Sequence, residues 1–149
     1  MKISLPDGTP PSADPIFDIL KSAKTIAVVG LSSNHARPSF GVTLYMQARG
    51  YRIIPVNPNE IEVLGEKAYA RLEDVPEKID IVDVFRKSPD VPPVAKSAIL
   101  IGAKVLWMQL GIENFGAAAQ ARAAGLIVIE DSCILTEHRN RLQALAHRT

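Results

Sequence analysis

The stretch T25-I-A-V-V-G-L-S-S-N-H-A-R-P-S-F-G41 decides how the rest of the chain is read. Its first part, Ile26-Ala27-Val28-Val29, is a short apolar run rich in β-branched residues, the pattern of a strand buried on both faces. Gly30 breaks the run. A polar loop follows, Ser32-Ser33-Asn34-His35, then Arg37, Pro38 and Ser39, and an amphipathic helical segment is predicted over 39–49. Strand, glycine, polar loop and helix is the order in which phosphate sites are built. A helix start leaves N–H groups without intrahelical partners and carries partial positive charge. Glycine lets a ligand approach the backbone, serine hydroxyls add donors, and Arg37 can fork onto phosphate oxygens. The loop is neither a GxGxxG nor a P-loop, so read alone it is equally a plain strand-to-helix turn.

Outward from this stretch, apolar β-branched runs recur and alternate with helical segments. Asp14-Pro15 reads as an N-cap followed by proline at the first helical position, and a short helix is expected over 15–22. Further strands are expected over 52–56, 79–85, 104–110 and 126–129, and helices over 91–101, 114–124 and 136–147. Pro55 inside the second strand calls for an edge position or a local distortion. Residues 61–76 read as connecting structure with a short extended piece around 67–69. Residues 1–14, rich in Pro and Gly, read as a loose flexible arm preceding a domain over 15–149. The alternation predicts an α/β fold, a single three-layer, Rossmann-like doubly wound parallel sheet with strand order 3-2-1-4-5. Ligands of such sheets bind beyond the C-terminal strand ends.

Composition sets the outer limits. The chain has 149 residues, 47% apolar and 22% charged, which is globular rather than disordered. A net charge of +1 gives no support to nucleic-acid or membrane-surface binding through bulk charge, so an anion site has to be local. Cys133 is the single cysteine, which excludes an intramolecular disulfide and a thiolate metal cluster. No apolar run reaches transmembrane length, and no signal-peptide core opens the chain. A soluble cytoplasmic protein is expected.

The strand ends narrow the ligand. Where an NAD site usually holds an acid for the ribose, the second strand ends in Val56-Asn57-Pro58. The third ends in Val84-Phe85-Arg86-Lys87, an aromatic that could pack on adenine or pantetheine beside two cations. At the end of the fourth, Gln109 and Gly111 are better site candidates than Trp107 and Met108, which read as core.

Taken together, GLSSNHARPSFGV (30–42), GYRIIPVNPNE (50–60), DIVDVFRKSPDVPPV (80–94) and GAKVLWMQLGI (102–112) resemble the small stand-alone CoA-binding domain proteins. That family is similar to the N-terminal domain of the succinyl-CoA synthetase α-subunit. The resemblance runs over residues 23–138 and implies a Rossmann-like fold with coenzyme A or an acyl-CoA across the strand ends. It implies a diphosphate on Gly30, Leu31, Ser32 and the helix start at Pro38 and Ser39, with Arg37 as charge partner. Asn57 and Pro58 would border the adenosine, Val84, Phe85 and Arg86 would flank the nucleotide, and Gln109 would lie where pantetheine leaves. The family's tail commonly reads Asp-Arg-Cys with a Lys two positions after the Cys, then Glu-His. Here Ser132 and Leu135 stand in place of the basic residues, which puts any contact made by them in doubt.

The synthetase chemistry depends on a phosphorylated histidine in a second domain, and that is not carried over. No motif places a nucleophile or carboxylate beside His35, and Cys133 reads as an ordinary structural thiol. The leading expectation is non-catalytic binding of CoA or acyl-CoA, with no metal, no nucleic acid and no membrane. An enzyme using acyl-CoA or NAD(P) through unidentified groups, and a ligand-free Rossmann interaction module, remain as alternatives. A homodimer or a partner protein is also left open.

Overall fold

A computed structural model describes residues 1–146. In chain order the elements are β1 (Lys2–Ser4), α1 (Pro15–Ser22), β2 (Thr25–Val29), α2 (Pro38–Ala48), β3 (Arg52–Val56), β4 (Glu62–Val63) and β5 (Glu66–Lys67). They continue with β6 (Ile81–Val84), α3 (Val91–Leu100), β7 (Val105–Met108), α4 (Phe115–Ala123), β8 (Ile127–Glu130), α5 (Ile134–Arg139) and α6 (Leu142–Leu145). Local signals account for the starts. The Asp14 carboxylate accepts the Phe17 N–H and caps α1, and Asn114 caps α4 by accepting from Ala117 N. Proline opens α1 and α2 where its missing N–H costs nothing.

The main sheet runs β1-β8-β7-β6-β2-β3, parallel except for β1, which pairs antiparallel with β8. The expected α/β doubly wound architecture is present, but the strand order differs. Counting the five parallel strands in sequence, it is 2-1-3-4-5 rather than 3-2-1-4-5. Pro55 supplies the physical reason. A strand lacking an amide hydrogen at one of its inner positions is tolerated at an edge, and β3 is the edge; the order 3-2-1-4-5 would have buried it between two neighbours. β6, buried at every position, takes the interior place instead.

Other expectations are also revised. Residues 2–4 are not a loose arm but an edge strand registered from Lys2 opposite Glu130 to Ser4 opposite Val128. Residues 62–67 form the small β4–β5 ladder. The helix expected over 136–147 is two short helices, α5 and α6, parted at Asn140-Arg141; His147 lies outside the described residues.

The two sheet faces carry separate cores. Val29, Val56, Val82, Val84, Leu106 and Met108 pack with α3 and α4. Ile26, Val28, Ile53, Ile81, Trp107 and Ile129 pack with α1, α2 and α5. Strict alternation along strands buried on both faces explains the near-continuous apolar runs in the sequence. Among the described residues no helix is long and apolar enough to cross a membrane.

Candidate ligand cleft at the switch point

The chain leaves β2 toward β3 on one side and returns to β6 on the other, so the crevice opens between the ends of β2 and β6. The two ends meet tightly. Phe85 N–H donates to Val29 O at 2.9 Å and Gly30 N–H to Val56 O at 2.8 Å. Gly30 has φ +91°, and a Cβ there would lie 2.3 Å from the Phe85 carbonyl oxygen. Both facts demand glycine. The same hypothetical Cβ would be 3.5 Å from Arg86 Cζ, so a guanidinium stands directly over the bare Cα.

The loop after Gly30 is held by its own polar groups. Leu31 turns its side chain fully into the core, and its carbonyl accepts from Asn57 Nδ2 at 3.0 Å. Ser32 N–H donates to the buried Ser39 Oγ at 3.1 Å, which ties the loop to the first turn of α2. Ser32 Oγ accepts from Asn34 N, and Asn34 Oδ1 from Ala36 N. Ser33 N–H and Oγ both donate to Glu60 Oε2, at 2.8 and 3.0 Å. His35 is exposed and stacks on Phe40 with ring centroids 4.1 Å apart.

The resulting cleft has a volume of about 710 Å3. It is walled by Gly30, Ser32, Arg37, Pro38 and Ser39 from the loop and α2, and by Asn57 from the end of β3. Phe85, Arg86 and Gln109 complete it from β6 and β7. Those residues were all singled out in the sequence. Leu31 and Val84 were too, but their side chains are fully buried in the two cores, and Pro58 is exposed outside the cleft wall. Lys87, read in the sequence as the second cation at the end of the third strand, also lines it, as do Glu60, Leu110 and Cys133, to which sequence reasoning gave no binding role. Cys133 is half-buried at the wall rather than an enclosed thiol. It is placed there because Trp107 Nε1 donates to Ser132 O at 2.8 Å and Ser132 N donates to Met108 O at 3.2 Å, folding the chain after β8 back over β7. A second recess of about 450 Å3, lined by Val29, Val56, Leu72 and Val94, shares Arg86 with the first.

The charges decide what the cleft can hold. Arg37, Arg86 and Lys87 line it, and among the described residues none of them has an ion-pair partner. The local excess of positive charge exists although the whole chain is nearly neutral. Beneath Gln109 lies Asp83, fully buried in β6. Burial pushes its carboxyl up to about 7, against the opposing hydrogen bond from Gln109 Nε2. Gln109 Oε1 in turn accepts from Ile134 N at 3.3 Å. The glutamine at the cleft floor is therefore fixed by a buried acid and by the start of α5. An acid inside the apolar run 79–85 was the signal available for Asp83. Among the described residues no three His, Cys, Asp or Glu side chains are grouped to hold a metal ion.

A family profile described as a CoA binding domain matches residues 24–139. The chain belongs to the CoA-binding domain family. It is 44% identical over 128 residues to the uncharacterised protein YneT of Bacillus subtilis, spanning 86% of this chain and 95% of that one. It is 30% identical over 83 residues to the ADP-forming acetate–CoA ligase II of Archaeoglobus fulgidus, a match spanning 54% of this chain but 12% of the ligase. Among solved structures it is similar to a hypothetical protein of Pyrococcus horikoshii, with TM-score 0.85, 38% identity and coverage of 95% and 99% of the two chains. An acetyl-coenzyme A synthetase of Candidatus Korarchaeum cryptofilum, at 23% identity and TM-score 0.66, shares the fold over 27% of its chain.

Proposed function

We propose that this chain binds coenzyme A or an acyl-CoA in the switch-point cleft and catalyses no reaction on it. The observation that carries this reading is the set Arg37, Arg86 and Lys87, without ion-pair partners among the described residues, beside a glycine with no room for a Cβ. Charged groups left without partners at a concave surface favour an anionic ligand, and Gly30 lets the ends of β2 and β6 close together so that Arg86 stands beside the loop. In this reading Gly30, Leu31, Ser32, Pro38 and Ser39 form the diphosphate cradle, with Arg37 and Arg86 as charge partners. Asn57, Pro58, Val84 and Phe85 border the adenosine, and the recess beside Arg86, lined by Val29, Val56, Leu72 and Val94 with Arg71, Glu73 and Asp90, takes the adenine ring. Pantetheine leaves past Gln109 toward Leu110. Membership of the CoA-binding domain family supports the choice of CoA over other nucleotides. The single cysteine suits a reducing cytoplasm.

The test is thermal unfolding with CoA, acetyl-CoA or NAD at equal concentration, since a ligand of the native state stabilises by mass action. CoA and acetyl-CoA should raise the melting temperature more than NAD. An equal or larger shift with NAD would sink the assignment, and turnover of acetyl-CoA would sink its non-catalytic part.

A further inference from the structure

Resting on that reading of the cleft, we infer that Glu60 is a built-in competitor for a ligand phosphate, a carboxylate latch on the anion loop. Glu60 is half-buried in the cleft wall, where Arg37, Arg86 and Lys87 also lie without ion pairs among the described residues. It does not pair with any of them. Its Oε2 instead accepts both donors of Ser33, the amide at 2.8 Å and the hydroxyl at 3.0 Å. Ser33 is exposed at the rim of the loop, next to Ser32 of the cradle, and an amide and a hydroxyl converging on one anionic oxygen is the contact a phosphate oxygen reaching that rim would make. Two anions cannot share those donors. Their mutual repulsion adds to the loss of the shared donors.

A ligand phosphate that takes the Ser33 donors displaces the carboxylate, and the surroundings permit this without moving the backbone. Asn57 anchors the turn through Nδ2 to Leu31 O at 3.0 Å and through Oδ1 from Asn59 N at 3.0 Å. Only the Glu60 side chain has to change rotamer, a motion of picoseconds to nanoseconds for an accessible side chain. The latch keeps the loop in its binding shape while empty. It also selects for ligands with several anionic groups, because a weakly charged ligand gains too little from the cations to displace a carboxylate.

Calorimetric titration with CoA and with inorganic pyrophosphate tests this on wild type, Glu60→Ala, Glu60→Gln and Glu62→Ala. Glu62 is exposed outside the cleft wall and reports the mere loss of a nearby charge. Glu60→Ala should bind both probes about three- to tenfold tighter, Glu60→Gln should fall between it and wild type, and Glu62→Ala should match wild type. The Ser33 amide resonance should move on Glu60→Ala substitution and, in wild type, on addition of CoA. Unchanged or weaker binding by Glu60→Ala, with wild type still binding CoA, would make Glu60 a simple brace and leave the CoA assignment standing. Equal tightening by Glu62→Ala would reduce the effect to bulk charge and overturn the latch. Failure of wild type and every variant to bind either probe would remove both the latch and the site.

Discussion

The two ends of the sheet use the same charged residue types in opposite ways. At the N-terminal ends of the strands Asp80 and Arg52 are matched. Asp80, just before β6, accepts the N–H groups of Lys24 and Thr25 at 2.8 and 3.0 Å and pairs with Lys104 at 3.4 Å. Arg52, the first residue of β3, is held by Glu66 and Glu77, which keep its guanidinium firmly protonated. At the C-terminal ends Arg37, Arg86 and Lys87 have no such partners among the described residues, and Glu60 bonds to neutral loop donors instead. Matched charges spend their interaction inside the fold; unmatched ones around a concavity are available to a ligand. This difference, rather than the number of charges, is what supports the proposal of a ligand site at the C-terminal end.

The strongest way to break the comparison is Gly30→Ala. A Cβ 2.3 Å from the Phe85 carbonyl, at φ +91°, forces the β2 and β6 ends apart. A loss on the order of 3–5 kcal/mol is expected from strain and overpacking together, read by urea unfolding, with CoA binding abolished. A loss below about 1 kcal/mol would show that the junction is pliant.

Acid titration sharpens the contrast further. Burial acts to raise the Asp80 carboxyl, but the bonds from Lys24 and Thr25 and the Lys104 charge outweigh it and hold the group below its ordinary value. Its stabilisation is present above the unfolded value and is lost only as pH falls through the acid range. Asp83 behaves oppositely, being raised to about 7. Between the unfolded value of about 4 and the folded value, the native state binds the extra proton, so its contribution falls as pH rises and levels off above the folded value. Asp83→Asn should remove that slope and raise stability at pH 8 by on the order of 2–4 kcal/mol. Unfolding curves across pH check it, and an unchanged slope would show Asp83 to be ionised at little cost.

The smallest effects on the fold separate the two kinds of arginine. Arg37→Ala should weaken CoA roughly ten- to a hundredfold, the worth of a charge-assisted phosphate contact, with the melting temperature unmoved. Arg52→Ala should cost less than about 1 kcal/mol of stability, as exposed ion pairs do, and leave CoA affinity alone. Reversed results in the paired calorimetry and melting curves would dissolve the distinction between matched and unmatched charge.

What the chain dictates locally was legible in its order of residues. The β-branched runs, the caps at Asp14 and Asn114 and the glycine after β2 act over a few neighbours, so periodicity and residue chemistry reveal them. Much of the cleft wall was legible for the same reason, because doubly wound sheets put strand ends together whatever the details. The strand order was not read correctly, although Pro55 held the signal for an edge. The loose arm expected over 1–14 in part became β1, because Lys2–Ser4 find the open edge of β8 more than a hundred residues later. Only the tertiary structure could decide that Glu60 closes on Ser33, that Asp83 is shut beneath Gln109 and that Cys133 reaches the wall. Each of these depends on which distant strand ends become neighbours and on the solvent that packing removes, quantities no local pattern contains.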